Sequence, residues 1–112
     1  MKKEHAQEVQ DATVYRVQQH GPYKVFKVSK LVIDVEVEVY YVTYDEKGEQ
    51  EPFCDCPGFV RQKFAKDKHK HVRVVADYVK RGRPRYADYK FRGTGANTKI
   101  RFVGQLEEDS HE

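Results

Sequence analysis

The stretch FCDCPGFVRQKFAKDKHKHV, residues 53–72, sets Cys54 and Cys56 one residue apart, then His69 and His71 one residue apart, with a short and mostly basic segment between them. Thiolate sulfur and imidazole nitrogen are the ligands structural zinc prefers, four at a time and tetrahedrally. Two of each around Zn²⁺ make a centre of net charge near zero, which can be buried at little cost. Four protein ligands leave no coordination position open, so such an ion fastens a fold and does not catalyse. The same residues admit other chemistry. A disulfide across one residue is strained and is disfavoured in a reducing compartment. A Cys–His nucleophile pair needs a cleft and an orienting third group, which nothing else in the chain signals. Surface histidines unrelated to buried cysteines are the plainest alternative.

Geometry restricts how the four could meet. Cys-x-Cys in extended or turning backbone aims both sulfurs at one point if the chain kinks, and Pro57-Gly58 supplies a kink. Residues i and i+2 of a regular helix point about 200° apart, so His69 and His71 cannot share an ion in mid-helix. They can where a helix starts and the first residue keeps non-helical dihedrals. The spacing therefore predicts a main helix beginning near His69, with His71 in its first turn. The familiar two-Cys, two-His finger has Cys pairs about two to four residues apart and His pairs about three to five apart. This chain departs from both, although its central gap of twelve residues fits.

The segment resembles the SWIM-type zinc finger, whose signature is Cys-x-Cys, a variable gap, then Cys-x-His at the start of an apolar helix. FCDCPGF is similar to that family's Cys-x-Cys-Pro-x-Phe, and HKHVRVVADYV to its Cys-Lys-His followed by an aliphatic helix. The preceding VYRV and YYVTYDEKGEQEPFCDC resemble the strands that lead into the knuckle, so the likeness covers roughly Val14 to Gly82. It implies a compact ββα zinc module that mediates nucleic-acid or protein binding, with Cys54 and Cys56 on the strand side and His71 on the helix side. One residue departs from the pattern: His69 stands where the family has its third cysteine. Imidazole ligates zinc as thiolate does, but its longer reach shifts the ion and one negative charge is lost. Asp67 or a water are the alternatives for that position.

These residues need elements to hold them. ATVYRVQQ and YKVFKV read as short strands around an HGP turn. LVIDVEVEVYYVTY reads as one long strand, with Ile33, Val35, Val37, Val39 and Tyr41 on a buried face and Asp34, Glu36 and Glu38 on a solvated one. DEKGEQ is a turn with Gly48 free to take positive φ, and EPFCDC returns as a short strand. Val60 and Phe64 suit a short helix; Val72, Val75, Ala76 and Val79 repeat at helical spacing through about Lys80, with Gly82 and Pro84 ending the run. A single helix over 59–81 and two helices broken near Asp67 both fit. The expected fold is α+β: a small antiparallel sheet of three or four strands packed with one main helix, a ββα zinc-finger-like core. Residues 1–11 read as a flexible arm and 12–82 as the zinc-binding domain. Residues 83–112 read as a basic, aromatic-dotted loop, a final strand KIRFVGQL and an acidic tail EEDSHE.

Charge points to a partner. Residues 1–56 carry 7 Lys/Arg against 11 Asp/Glu, residues 57–101 carry 14 against 3, and the last eleven residues add four acids, for a net +3. The basic block is the footprint expected for a polyanion, or else a solvated surface. Arg61, Lys63, Lys66, Lys68, Lys70, Arg73, Lys80, Arg81, Arg83 and Arg85 are the candidate phosphate contacts. Tyr86, Tyr89 and Phe91 could stack on bases or pack onto the sheet. The expected partner is nucleic acid, DNA ahead of RNA; a protein partner docking on the acidic strand or an open edge is the alternative, and a homodimer closing its own sheet edge a third reading. Asp34, Glu36 and Glu38 are most simply a solvated face, and GTGANTK lacks phosphate-loop spacing, so no second constellation suggests an enzyme. There is no apolar run of about 18 residues to span a membrane. The charged start MKKEHAQEVQ lacks an export signal, which points to a reducing interior: the cytoplasm, or the nucleus in a eukaryote.

Overall fold

The computed structural model describes residues 12–21 and 24–106. The N-terminal arm and the acidic tail EEDSHE lie outside them. The elements in chain order are β1 (Thr13–Gln19), β2 (Val25–Val32), β3 (Val35–Thr43), β4 (Phe53–Cys54), α1 (Pro57–Arg61), a 3₁₀ turn Lys66–Lys68, α2 (Lys70–Lys80), β5 (Tyr86–Arg92), a 3₁₀ turn Gly95–Asn97, and β6 (Lys99–Leu106). The class is α+β, with one antiparallel sheet in the order β4-β3-β2-β1-β5-β6 and one main helix against it.

The sheet is larger than the three or four strands expected because β5 and β6 extend it beyond β1, and one strand boundary also differs. LVIDVEVEVYYVTY is a hairpin and not one strand. Ile33 and Asp34 take φ of 50° and 66°, and Val32 pairs directly with Val35. That is a two-residue turn with both central residues left-handed, the geometry Asn-Gly usually signals. A β-branched Ile in that region is an outlier, so the sequence carries no turn mark there. The added strands follow Pro84: the segment expected to be loop contains β5, whose Tyr15↔Tyr89 and Val17↔Ala87 register places it against β1. The sheet therefore continues to Leu106, and a unit ending at residue 82 would strip β1 of that neighbour.

The core lies between the sheet and α2. His71, Val74, Val75 and Tyr78 form the i, i+3, i+4, i+7 stripe on the buried side of the helix, with Val72 beside it. The expected stripe of Val72, Val75, Ala76 and Val79 is thus rotated by one residue, and His71 heads it. Beneath lie Val17, Phe26, Val28, Val42, Ala87 and Tyr89, all fully buried. Each Val or Phe side chain among them contributes about 1.5–3 kcal/mol by leaving water. Tyr78 secures the helix end: its hydroxyl donates to Pro84 O (2.6 Å) and accepts from Gln19 N (3.1 Å). Gly82, at φ +90°, lets the chain leave α2 with Arg83 N reaching back to Tyr78 O.

The expected faces of β3 are reversed. Val42 is fully buried and Tyr40 stacks on His71, so that alternation faces the helix. Ile33, Val35 and Val37 are 69%, 61% and 50% exposed instead. The register of β3 is set by its C-terminal half, which lies under α2. A bulge between Lys30 and Leu31, where Glu38 and then Glu36 oppose them, breaks strict alternation. The acids are not a plain solvated row either: Glu36 pairs with Lys27 (3.5 Å), and Glu38 accepts a short bond from the Tyr40 hydroxyl.

Candidate metal centre

Cys54 reaches the helix side of the sheet because β4 pairs with the end of β3, in the register Val42↔Cys54 and Thr43↔Phe53. The connecting turn is fixed by Asp45, which accepts from the backbone N–H groups of Lys47, Glu49 and Gln50 at 3.0–3.1 Å. Asp55 is bracketed to β3 by two bonds, its N–H to Tyr41 O (3.2 Å) and its Oδ1 from Tyr41 N (3.0 Å). Extended backbone turns residues i and i+2 to the same face. With Asp55 held against β3 and Cys56 still extended (φ −77°, ψ 153°), the two thiols share one side. Pro57 then opens α1 at its first position, where a missing N–H costs nothing.

From Gln62 the chain runs without helix to the 3₁₀ turn, so residues 59–81 are two helices with a break. His69 caps α2 with extended dihedrals (φ −65°, ψ 137°) and His71 lies in the first turn, the arrangement a His-x-His pair needs. The four side chains converge. Cys56 Sγ lies 3.2 Å from His69 Nε2, Cys54 Sγ 3.4 Å from His71 Nδ1, and the two ring nitrogens 3.2 Å apart. All four ligand atoms fall within 4.8 Å of one another, and all four residues are buried. Tetrahedral zinc at ordinary bond lengths would place its ligand atoms about 3.3 Å apart for N···N and about 3.5 Å for S···N. These edges match to a few tenths of an ångström. The residues fit one metal ion.

Both cysteines are free thiols. Asp67, on the exposed 3₁₀ turn, is not among the converging groups. Burial lowers the His69 imidazole to about 4 and, with the neighbouring His69 and Lys70 adding to it, His71 to about 3. Both rings are neutral at physiological pH and keep a lone pair for an ion. Burial pushes the Cys54 thiol upward, the cost of an isolated buried thiolate; a bound cation reverses that preference, as coordinated thiols are deprotonated. Aromatic rings wall the centre: Tyr40 stacks on His71 at 4.7 Å and Phe59 meets His69 edge-on at 5.2 Å.

The expected cations fare differently. Arg61, Lys63, Lys68, Lys80 and Arg85 are exposed, with no charged or hydrogen-bonded side-chain partner among the described residues. The rest serve the fold. Lys66 pairs with Glu51 (2.9 Å), Arg81 with Asp77 (2.6 Å) and Arg83 with Glu46 (2.7 Å). Arg73 bonds Thr98 O, and Lys70 lies 5.2 Å from the centroid of the Phe91 ring. Nor are the three aromatics open platforms. Tyr89 is fully buried with its hydroxyl on Asp77 (2.8 Å), Phe91 packs on Tyr15 at 4.2 Å, and Tyr86 lies under Arg16 at 3.7 Å.

Sequence reasoning missed Gln62, whose side-chain oxygen lies 2.7 Å from His69 Nδ1. It also missed Tyr40, because the faces of β3 were assigned the other way round. No spacing rule marks a loop glutamine; only the need of a buried His for a partner on its second nitrogen could have prompted the search. Among the described residues, no helix is long and apolar enough to cross a membrane. No protein-family model, curated protein or solved structure matches this chain.

Proposed function

We propose that the protein is a small, non-enzymatic module fastened by one structural zinc ion, with a knuckle that works as a SWIM-type finger does. The observation that carries this reading is the buried convergence of Cys54, Cys56, His69 and His71 from a hairpin end and a helix start. Two thiolates and two imidazoles suit zinc better than the oxygen-seeking magnesium or calcium. Bound there, the ion ties β4 to α2 across the sheet and keeps no site for substrate. The test is metal analysis of protein purified without chelator, together with refolding in the presence and absence of zinc. One zinc per chain and zinc-dependent folding are expected; wild-type protein that is folded yet takes up no zinc overturns the reading.

The module's partner, on this proposal, is a nucleic acid, DNA ahead of RNA, held by phosphate contacts and not by base readout. Arg61, Lys63 and Lys68 flank the knuckle with their charges unspent on the fold, and Lys80 and Arg85 lie at and beyond the far end of α2. Binding of short DNA duplexes and single strands should weaken steeply between low and physiological salt, since each neutralised phosphate releases a counterion. A second reading, a protein-interaction adaptor, draws on the exposed row of Ile33, Val35 and Val37. Absence of DNA and RNA binding even at low salt would favour it.

A further inference from the structure

His69 Nε2, not Nδ1, faces the cluster, and His71 does the opposite, turning Nδ1 inward. A neutral imidazole carries one proton, and the nitrogen that ligates must be the other one. Something must hold each ring in the right tautomer. For His69 that group is on the page. Gln62 Oε1 lies 2.7 Å from His69 Nδ1, while Gln62 Nε2 donates to Phe64 O at 3.1 Å and Ala65 O at 3.0 Å. Oxygen and nitrogen of a glutamine amide are interchangeable in shape, so their assignment depends on the network. Here the network decides. Two carbonyls accept from one end of the amide, so that end must be the NH₂ and the other the oxygen. An oxygen opposite Nδ1 requires a proton on Nδ1, and Nε2 is then left with its lone pair toward Cys56 and His71.

We infer that Gln62 is the positioning residue of the centre: it fixes His69 as the Nδ1–H tautomer, so that His69 is a ligand through Nε2. The inference deepens the zinc reading and rests on it. Gln62 also anchors the break between the two helices to its own backbone. One side chain thereby sets both where His69 sits and which nitrogen it presents.

The experiment reads ring ¹⁵N shifts of the histidines, metal-free and zinc-loaded, and zinc affinity by competition with a chromophoric chelator. Wild type, Gln62→Met and Gln62→Glu are compared. The zinc-loaded wild type should show His69 protonated on Nδ1. Gln62→Met should lose that fixed tautomer and bind zinc about 10–100-fold more weakly, the range typical when the partner of a ligating histidine is removed. Gln62→Glu keeps an acceptor opposite Nδ1 but sets its second oxygen against the Phe64 and Ala65 carbonyls, so it should keep the Nδ1–H tautomer while loosening the loop. If Gln62→Met does not fold, the ring shifts of the zinc-loaded wild type decide. A wild type with His69 protonated on Nε2, or a folded Gln62→Met that keeps the Nδ1–H tautomer and full zinc affinity, overturns the inference. Zinc bound by a wild type with His69 protonated on Nε2 would leave the zinc reading standing without it. A wild type that binds no zinc overturns both.

Discussion

The knuckle between Phe53 and Val72 and the β2–β3 hairpin are built from nearly the same length of chain and obey opposite logics. In the knuckle, side-chain chemistry comes first and the backbone follows. Two thiols can share an ion only from one face of extended chain, and two histidines at i and i+2 only where a helix begins. The structure supplies both, with Cys56 and His69 extended at the starts of α1 and α2. In the hairpin, backbone register comes first and the side chains take what it leaves. Val42 and Tyr40 are placed under α2, and Ile33, Val35 and Val37 are carried beyond it into solvent. Apolar residues are therefore buried by position and not by kind. Only in the knuckle do residue types, Cys54, Cys56, His69 and His71, decide where the backbone goes.

The largest effect should come from taking the fastener away. A structural zinc contributes on the order of 10 kcal/mol of apparent binding free energy at neutral pH, comparable with the whole stability of about 5–15 kcal/mol typical of a domain. Chelation, or Cys54→Ala, should abolish amide protection over residues 70–80 in hydrogen exchange. The β1–β2–β3 pairs should retain more of theirs, because their long ladders do not pass through the centre. Uniform loss across both regions would show that the hairpin depends on the ion as much as the helix does.

The next contrast uses one substitution in two places. Val74 is fully buried on the stripe of α2, whereas Val35 is 61% exposed. Val74→Ala should cost about 2 kcal/mol from lost burial and an unfilled space; Val35→Ala should stay within about 0.5 kcal/mol, as surface changes usually do. Urea unfolding at fixed zinc measures both. A cost at Val35 near that of Val74 would mean that the apolar row is covered in solution, by a second copy or another chain. A smaller effect of opposite sign belongs to the turn. Replacing Ile33 and Asp34 by Asn and Gly fits residues to the left-handed φ of 50° and 66° and should stabilise by about 1 kcal/mol, seen as a higher unfolding midpoint.

What the sequence disclosed follows the same division. The four converging residues, the helix start at His69, the kink at Pro57 and the helix stop at Gly82 are legible because each is a local demand made by residue type. The β2–β3 turn was not, since Ile-Asp carries none of the usual turn marks. The face of β3 was not, since alternation says that two faces differ but not which one meets a helix 30 residues onward. Nor was β5. Its residues Tyr86, Tyr89 and Phe91 lie between charges that read as a loop for a polyanion, and only the pairing of Tyr89 with Tyr15 and of Phe91 with Ile100 makes them strand. Its Asp88 meets Arg16 across 72 residues in a two-pronged pair at 2.8 and 3.0 Å, a contact no local pattern announces.

The smallest expected effect tests how closely the knuckle is packed around its chemistry. Gly58 follows the kink, and a methyl group added there would meet Cys56 Sγ and His69 Cε1 at 3.9 Å each, ordinary contact distance. Its φ is not in the left-handed region, and it sits within α1. A glycine in helix is worth roughly 0.5–1 kcal/mol less than alanine. If glycine is there only as part of a kink that Pro57 already makes, Gly58→Ala should stabilise the protein by about 0.5 kcal/mol and leave zinc affinity unchanged. If the centre contracts around its ion by a few tenths of an ångström, the same methyl group would press on both ligands, and affinity would fall while the metal-free protein gained. Unfolding and chelator competition on this one variant therefore separate a knuckle whose backbone is set before the ion arrives from one that the ion draws closed.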